Sequence, residues 1–533
     1  MSDTPTPTAS AASPSGAAAR LDPRRWTALA FIALAQLMVV LDATIVNIAL
    51  PSAQSDLGIS DGNRQWVVTA YALAFGGLLL FGGRISDLWG RRRTFVTGLI
   101  GFALASALGG AAANQAMLFG ARALQGVFGA LLAPAALSLL AVMFTDGKER
   151  AKAFGIYGAI AGGGGAIGLI LGGVLTEYMD WRWTFFVNIP FAVVAALGAL
   201  FVIREPAGGR NRSPLDIPGV VLSTLGLVAL VYGFTRAESE GWGEGGTVAM
   251  FVAAAVLLGS FVLVESRVRA PLLPLRVVAD RNRGGVYASL GLAVIAMFGL
   301  FLFLTYYLQV VKGYTPVTTG IAFLPMIAGM ITGSTQIGAR LMTRVRPRLL
   351  MGPGFLVAAT GMLLLTQLET GSSYAGLILP AQLLLGLGMG TAFMPAMSLA
   401  TLGVRAQDAG VASAMVNTSQ QVGGAIGTAL LNTIAASATS AYAASHAARA
   451  AAGGAPARKL LALESMVHGY TSAIWWAVGI LLVASALAFT LVTTRGGSGA
   501  AADAETGPKG AASDAASGTD EDGEPDLVPV MAH

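Results

Sequence analysis

The chain has 533 residues, of which 55% are hydrophobic and 11% charged; this is too apolar for a water-soluble globular protein, so lipid must be the solvent for most of it. It contains no cysteine, which excludes disulfides, thiol catalysis and cysteine-based zinc or iron sites. The formal net charge of +5 would favour an anionic partner in a soluble protein, but here the basic residues sort by loop and mark topology rather than nucleic-acid contacts.

Residues 1–25 are rich in Ser, Thr, Pro and Ala, and the apolar run after Arg24 and Arg25 lacks a signal-peptide cleavage pattern. A disordered N-tail followed by a retained first helix is expected. Apolar runs then lie at 27–50, 65–85, 94–113, 116–143, 153–175, 184–203, 216–236, 247–265, 284–309, 317–339, 349–368, 374–402, 409–434 and 470–494. Each is long enough to cross ~30 Å of hydrocarbon. Fourteen crossings put both termini on one side. The Ala-rich outer stretch 435–468 is expected to hold a helix outside the bilayer, and the acidic, Gly/Ala/Ser-rich residues 495–533 a disordered tail. The histidines His446, His468 and His533 have no metal-ligand neighbour at i+3 or i+4, so no metal site is expected.

Lysine and arginine decide the orientation, because short cytoplasmic loops hold the positive charge. With the N-terminus inside, 25 of the 33 basic residues fall on cytoplasmic segments. Seven fall outside: Arg64, Arg182, Arg236, Lys312, Arg449, Arg458 and Lys459. The remaining one, Arg122, sits within the fourth run. Arginine outnumbers lysine 28 to 5 in an Ala/Gly-rich chain, which points to a high-GC bacterial source and a cytoplasmic-membrane location.

An internal repeat is legible. Gly164-Gly165-Ala166-Ile167-Gly168 recurs as Gly423-Gly424-Ala425-Ile426-Gly427, Ala133-Pro134-Ala135 matches Met394-Pro395-Ala396, and the basic loop Gly83 to Arg93 has a degenerate copy around Gly338 to Arg348. The expected organisation is a six-helix bundle at 26–203, a linker with an inserted helix pair at 204–283, and a second six-helix bundle at 284–494. A two-bundle transporter binds its substrate between the halves.

Four motifs and a glycine series carry a family resemblance. They are Leu41-Asp42-Ala43-Thr44-Ile45-Val46-Asn47-Ile48-Ala49-Leu50-Pro51 in the first helix, Gly83-Arg84-Ile85-Ser86-Asp87-Leu88-Trp89-Gly90-Arg91-Arg92-Arg93 after the second, Arg122-Ala123-Leu124-Gln125-Gly126 in the fourth, and Trp181-Arg182-Trp183-Thr184-Phe185-Phe186-Val187-Asn188-Ile189-Pro190 entering the sixth. Gly155, Gly164, Gly168, Gly172 and Gly173 have the spacing of a fifth-helix antiporter motif. Over residues 24–494 the chain resembles the major facilitator superfamily, and within it the fourteen-helix drug:proton antiporter branch of EmrB/QacA type. The resemblance implies an all-α integral membrane protein with the major facilitator fold, two six-helix bundles plus an inserted pair. It also implies a transporter that uses no cofactor and exports small lipophilic drugs, antibiotics or natural products, driven by the proton gradient; a monomer is expected. One position departs: Leu169 stands where the family usually has proline after the third glycine, which puts a proline bend in helix five in doubt. The glycines at i, i+4 and i+8 still make a groove for a neighbouring helix backbone.

A charge near the bilayer centre costs at least a few kcal/mol and therefore faces a cavity or a partner. Asp42 lies ~12 Å from the outer end of the first run and Arg122 ~10 Å from that of the fourth, so the two are expected to share a cavity and to couple protons. Opposing influences act on such a carboxylate, burial against ionisation and a guanidinium for it; the competing reading is a static pair that fixes two helices. Gly83, Arg84, Asp87, Gly90, Arg91, Arg92 and Arg93 are expected to form a cytoplasmic gate, with Asp87 capping a neighbouring helix N-terminus. Asn47, Gln125, Gln336, Asn417, Gln420 and Gln421 are candidates for lining the substrate cavity, against a plainer role in interhelical hydrogen bonding. Relatives that export dications often carry carboxylates on helices ten and thirteen; none occurs here, which favours neutral, zwitterionic or monocationic substrates. A symporter importing a metabolite, a sensor without transport, and a membrane-embedded lipid-modifying enzyme are the competing functions; two intramembrane charges do not supply the convergent groups that the last would need.

Overall fold

A computed structural model describes residues 24–144, 147–203, 216–268, 271–342, 344–401, 409–452 and 454–493. The tails at both ends lie outside the described residues. Among those described there is helix and no strand. Lipid explains this: with no water to meet backbone N–H and C=O groups, a spanning segment must satisfy them internally.

Fourteen long helices follow in chain order. They are α1 (Arg25–Leu57), α2 (Trp66–Trp89), α3 (Arg91–Gly110), α4 (Gln115–Met143), α5 (Gly147–Tyr178), α6 (Trp183–Val202), α7 (Ile217–Glu240), α8 (Gly245–Arg267), α9 (Arg281–Val311), α10 (Pro316–Leu341), α11 (Arg348–Leu365), α12 (Tyr374–Ala400), α13 (Ala409–Ala452) and α14 (Gly454–Leu491). Thirteen of them are long and apolar enough to cross a membrane by length and composition. The other is α5, whose apolar helix Gly164–Tyr178 packs along α1.

The helices form two six-helix bundles with matching contacts. In the first, α2 and α3 pack on α4, α1 packs on α5, and α6 closes against α1 and α3. In the second, α10 and α11 pack on α12, α9 packs on α13, and α14 closes against α9 and α11. The glycine echo has the same meaning in both: Gly164 and Gly168 seat α5 on α1, and Gly423 and Gly427 seat α13 on α9. The inserted pair stands outside this repeat. Helix α7 packs on both α2 and α13, where Ala72, Leu73, Val231, Ala425 and Ala429 share one apolar cluster. Helix α8 is peripheral, with 11% of its apolar window buried against 61% for α2.

Two boundaries differ from the sequence expectation. The first apolar run ends at Leu50, yet α1 continues to Leu57 with Pro51 inside it. The outer stretch 435–468 is no separate helix: the 44-residue α13 runs on into it as far as Ala452, and α14 returns from a turn at Gly454, φ 73°. Alanine is the best helix former, so the helix outlasts the apolar pattern. Thr439 and Gly469 bring the two arms together, since a Cβ on Gly469 would meet the Thr439 hydroxyl at 2.0 Å. The Tyr442 ring stacks on His446 at 4.1 Å and lies tilted 4.6 Å from His468.

Candidate functional site

Asp42 lies in the middle of α1 and is fully buried, as are Gln125, Asn188 and Ser106; Arg122 is 1% exposed. Five helices converge on this carboxylate. Its Oδ2 accepts a hydrogen bond from Arg122 at 2.7 Å, and its Oδ1 accepts from Gln125 at 2.8 Å and from Asn188 at 2.9 Å. Arg122 also donates to Val67 O at 2.7 Å and to Gln125 Oε1 at 2.9 Å. Its guanidinium carbon lies 4.4 Å from the centre of the Tyr71 ring, a cation–π contact strengthened by the absence of water. Gln125 completes the network by donating to Ser106 Oγ at 2.7 Å.

The arrangement has one chemical consequence. The Asp42 carboxylate accepts three hydrogen bonds, so neutralising it with a proton weakens its ties to Arg122, Gln125 and Asn188 together. Those donors come from α4 and α6, and the acceptor from α1. Protonation is therefore tied to helix contacts rather than confined to one side chain.

The expected residues fall into distinct places. Asp42 and Arg122 meet, and Gln125 joins them. Asn47 is buried and donates to Ala43 O on its own helix at 3.0 Å. Asn417, Gln420 and Gln421 are half-buried on α13, with Gln421 against α2 at Gly76, and Gln336 is exposed on α10. Asn188, Ser106 and Tyr71 were not among the expected site residues. A polar side chain inside an apolar run was the available sign; Asn188 stood within a quoted motif.

The glycine series divides between two neighbours. A Cβ on Gly164 would lie 3.1 Å from Val40, one on Gly168 1.9 Å from Thr44 Oγ1, and one on Gly172 3.0 Å from Ile45 Cα, all on α1. Gly173 instead faces α10, where a Cβ would meet Val317 Cα at 2.7 Å. The surroundings of Gly155 lie outside the described residues. Helix α5 runs unbroken through Leu169, whose carbonyl abuts Gly320 of α10. Gly168→Ala is expected to force α5 off α1 two residues from Asp42, costing about 1–3 kcal/mol as overpacking does. Thermal melting of the purified protein checks this, and Thr44→Ala in the same chain should recover most of the loss.

The loop motif is less uniform than expected. Arg84 donates to Pro271 O at 3.3 Å. Gly90 joins α2 to α3 at φ 107°, which disfavours any side chain. Arg92 donates to Ala199 O at 3.3 Å and to Leu200 O, at the C-terminal end of α6 where a cation is favoured. Gly83 lies against Pro134, Arg91 is half-buried with partners, and Arg93 is exposed. The Asp87 side chain lies outside the described residues.

At the opposite end the bundles touch. Arg64, 4% exposed, reaches from the α1–α2 connection to Asn432 Oδ1 of α13 at 3.2 Å, and stands 4.1 Å above the Tyr306 ring of α9. Tyr306 in turn bonds Gln54. Gln309 donates to Ile48 O at 2.9 Å, and Val317 N–H to Glu177 at 2.9 Å. The hydrogen bonds across the seam gather here, at the α1–α2 end.

Residues 32–428 match the sequence profile described as Major Facilitator Superfamily. The chain belongs to this superfamily. Its relatives place it in the drug-efflux branch. It is 55% identical over 476 residues to the puromycin resistance protein pur8 of Streptomyces alboniger, covering 89% of this chain and 92% of that one. It is 39% identical over 418 residues to the cephamycin export protein CmcT of Amycolatopsis lactamdurans, covering 78% and 86%. With the tetracenomycin C resistance and export protein of Streptomyces glaucescens it shares 34% over 414 residues, covering 78% and 76%. Among solved structures, the inward-facing, occupied form of a bacterial homolog to the human lysosomal transporter Spinster aligns with a TM-score of 0.64 at 16% identity, covering 88% of this chain and 96% of that one; this is a likeness of fold alone. This facilitator is accordingly a multi-pass membrane transporter of small molecules and not an enzyme.

Proposed function

We propose that this transporter exports small lipophilic natural products or antibiotics from the cytoplasm in exchange for protons, with Asp42 as the proton carrier and Arg122 as its counter-ion. The observation that carries the reading is the buried Asp42–Arg122 pair, 2.7 Å apart at the meeting of five helices. The names of the relatives supply the substrate class. The relatives' names also favour export over import, and the basic loops favour an orientation with both termini and the α2–α3 end in the cytoplasm. In that orientation the α1–α2 end, where the bundles are hydrogen-bonded to each other, would be the outer one, as expected of an inward-facing state. A proton arriving from outside would displace Arg122 from Asp42 Oδ2; the orphaned buried oxygens Asn188 Oδ1 and Tyr71 Oη beside the pair would take part in the rearrangement. The gate role of Arg84 to Arg93 and the cavity role of Gln336, Asn417, Gln420 and Gln421 belong to the same proposal, as do monomeric action and independence of any cofactor.

Efflux of a fluorescent lipophilic dye and of puromycin from energised vesicles tests it. Accumulation against a gradient should appear with a pH difference and collapse with an uncoupler. Transport that is unaffected by the uncoupler would overturn the coupling, and uptake into the cytoplasm the direction.

Arg64 is then the outer latch. Replacing it with alanine removes a desolvated cation–π contact and the bond to Asn432, together about 1–2 kcal/mol. This should favour the outward-open state about 5–30-fold. The chain has no native cysteine, so one introduced at Ala53, 3% exposed, reports the change as faster alkylation by a membrane-impermeant maleimide.

A further inference from the structure

The inserted pair holds two buried acids that the exchange of substrate and proton does not use. Asp216 caps α7, its Oδ1 accepting the Gly219 N–H at 2.9 Å. Glu265, near the end of α8, accepts the Leu273 N–H through Oε2 at 2.9 Å. Both side chains are more than nine-tenths buried, at 7% and 3% exposure. The other oxygen of each, Asp216 Oδ2 and Glu265 Oε1, is buried with no hydrogen-bond partner among the described residues. Both oxygens face one point: a Cβ on Gly219 would lie 2.6 Å from the first and 2.7 Å from the second. The two oxygens therefore border one small space, and Arg84 of α2 is a positive group that faces Glu265.

Two neighbouring carboxylates, both ionised, are costly in such a buried place. Their facing oxygens are both acceptors and cannot bond each other, and two negative charges would confront the single positive charge of Arg84 in a site shut off from water. One shared proton resolves both problems. It makes an O–H···O bond between the acids and leaves one net negative charge, which matches Arg84.

We propose that Asp216 and Glu265 form a second proton-binding site, which holds one proton between Oδ2 and Oε1 and frees the 271–274 segment from Arg84 when that proton leaves. The O–H bond breaks, the proton passes to water at the α2–α3 end, and the two carboxylates repel. Glu265 then moves away from Asp216 and gives up the Leu273 N–H. The same segment supplies Pro271 O to Arg84, so its release also undoes the tie between the inserted pair and α2. Because α7 packs on both α2 and α13, this site acts on the seam between the bundles without touching Asp42.

Hydrogen exchange of the full chain in detergent or nanodiscs tests the proposal, followed at the Leu273 amide from pH 5.5 to 9 and corrected for the intrinsic rate. Protection should fall at least tenfold as the pH rises. In Glu265→Gln the amide donates to Asp216 in place of the shared proton, so protection should persist across the range. A flat profile in the wild type overturns the proposal, and so does an unchanged pH response in both Glu265→Gln and Asp216→Asn. Repeating the series with sodium, potassium or choline as the only cation distinguishes a proton from a metal ion; a response that follows sodium overturns the assignment. Should either variant fail to fold, infrared difference spectra of Asp42→Asn, which keeps both acids, must still show a protonated carboxyl lost on alkalinisation. Its absence sinks the idea whatever the fate of the export reading.

Discussion

Asp42→Asn is expected to reduce proton-driven accumulation of substrate to background while passive equilibration down a substrate gradient continues. The carboxylate is the group between α1 and α4 that can gain and lose a proton, and asparagine keeps its shape without that capacity. A static pair predicts another result, in which both modes fall together in proportion to the folded protein lost. The two assays, normalised to protein at the membrane, therefore separate coupling from scaffolding. Undiminished accumulation would remove Asp42 from the mechanism.

The second large effect is on stability, and it is non-additive. Removing one partner of a buried ion pair leaves an uncompensated charge and costs roughly 3–5 kcal/mol. Asp42→Asn strands Arg122, which cannot shed its proton. Arg122→Leu strands Asp42, which can become neutral by taking up a proton. The arginine-deleted variant should accordingly be the more stable of the two single variants at acidic pH and lose that advantage as the pH rises. The double variant Asp42→Asn/Arg122→Leu, with no charge left in the site, should recover most of the stability while still failing to accumulate substrate. Thermal melting across pH measures the cycle, and simple additivity of the two losses would mean that the residues do not interact as drawn.

Much of this site could be read in one dimension. Two lone charges in long apolar runs demanded an explanation, and their similar distance from the same membrane surface offered one, which the 2.7 Å pair satisfies. Asn188, Ser106 and Tyr71 were harder to see, because uncharged polar residues are tolerated in spanning helices at little cost and rarely stand out. The packing of the fold was legible where small residues recur, as in Gly164 and Gly423. Helix ends were less so. A reading by hydropathy stops where water begins, and the backbone does not: α13 continues past Ile434 on alanine propensity and on packing against α14. Pro51 likewise looked like an end, but α1 passes through it, as spanning helices can when neighbours re-satisfy the freed backbone groups. In the sequence Arg64 is a topological marker only, since nothing in its own segment announces Asn432 or Tyr306, hundreds of residues away.

The paired outer arms of α13 and α14 have a mechanical consequence. The residues of α13 after Ile434 extend it by about 27 Å at 1.5 Å per residue, and they are rigidly continuous with the part of the helix that lies along α2. Any tilt of the second bundle is thereby magnified at Ala452, well clear of the buried Asp42 network. A spin label or fluorophore at that tip would work like the needle of a gauge, counting the rocking strokes of a single molecule without touching what it carries.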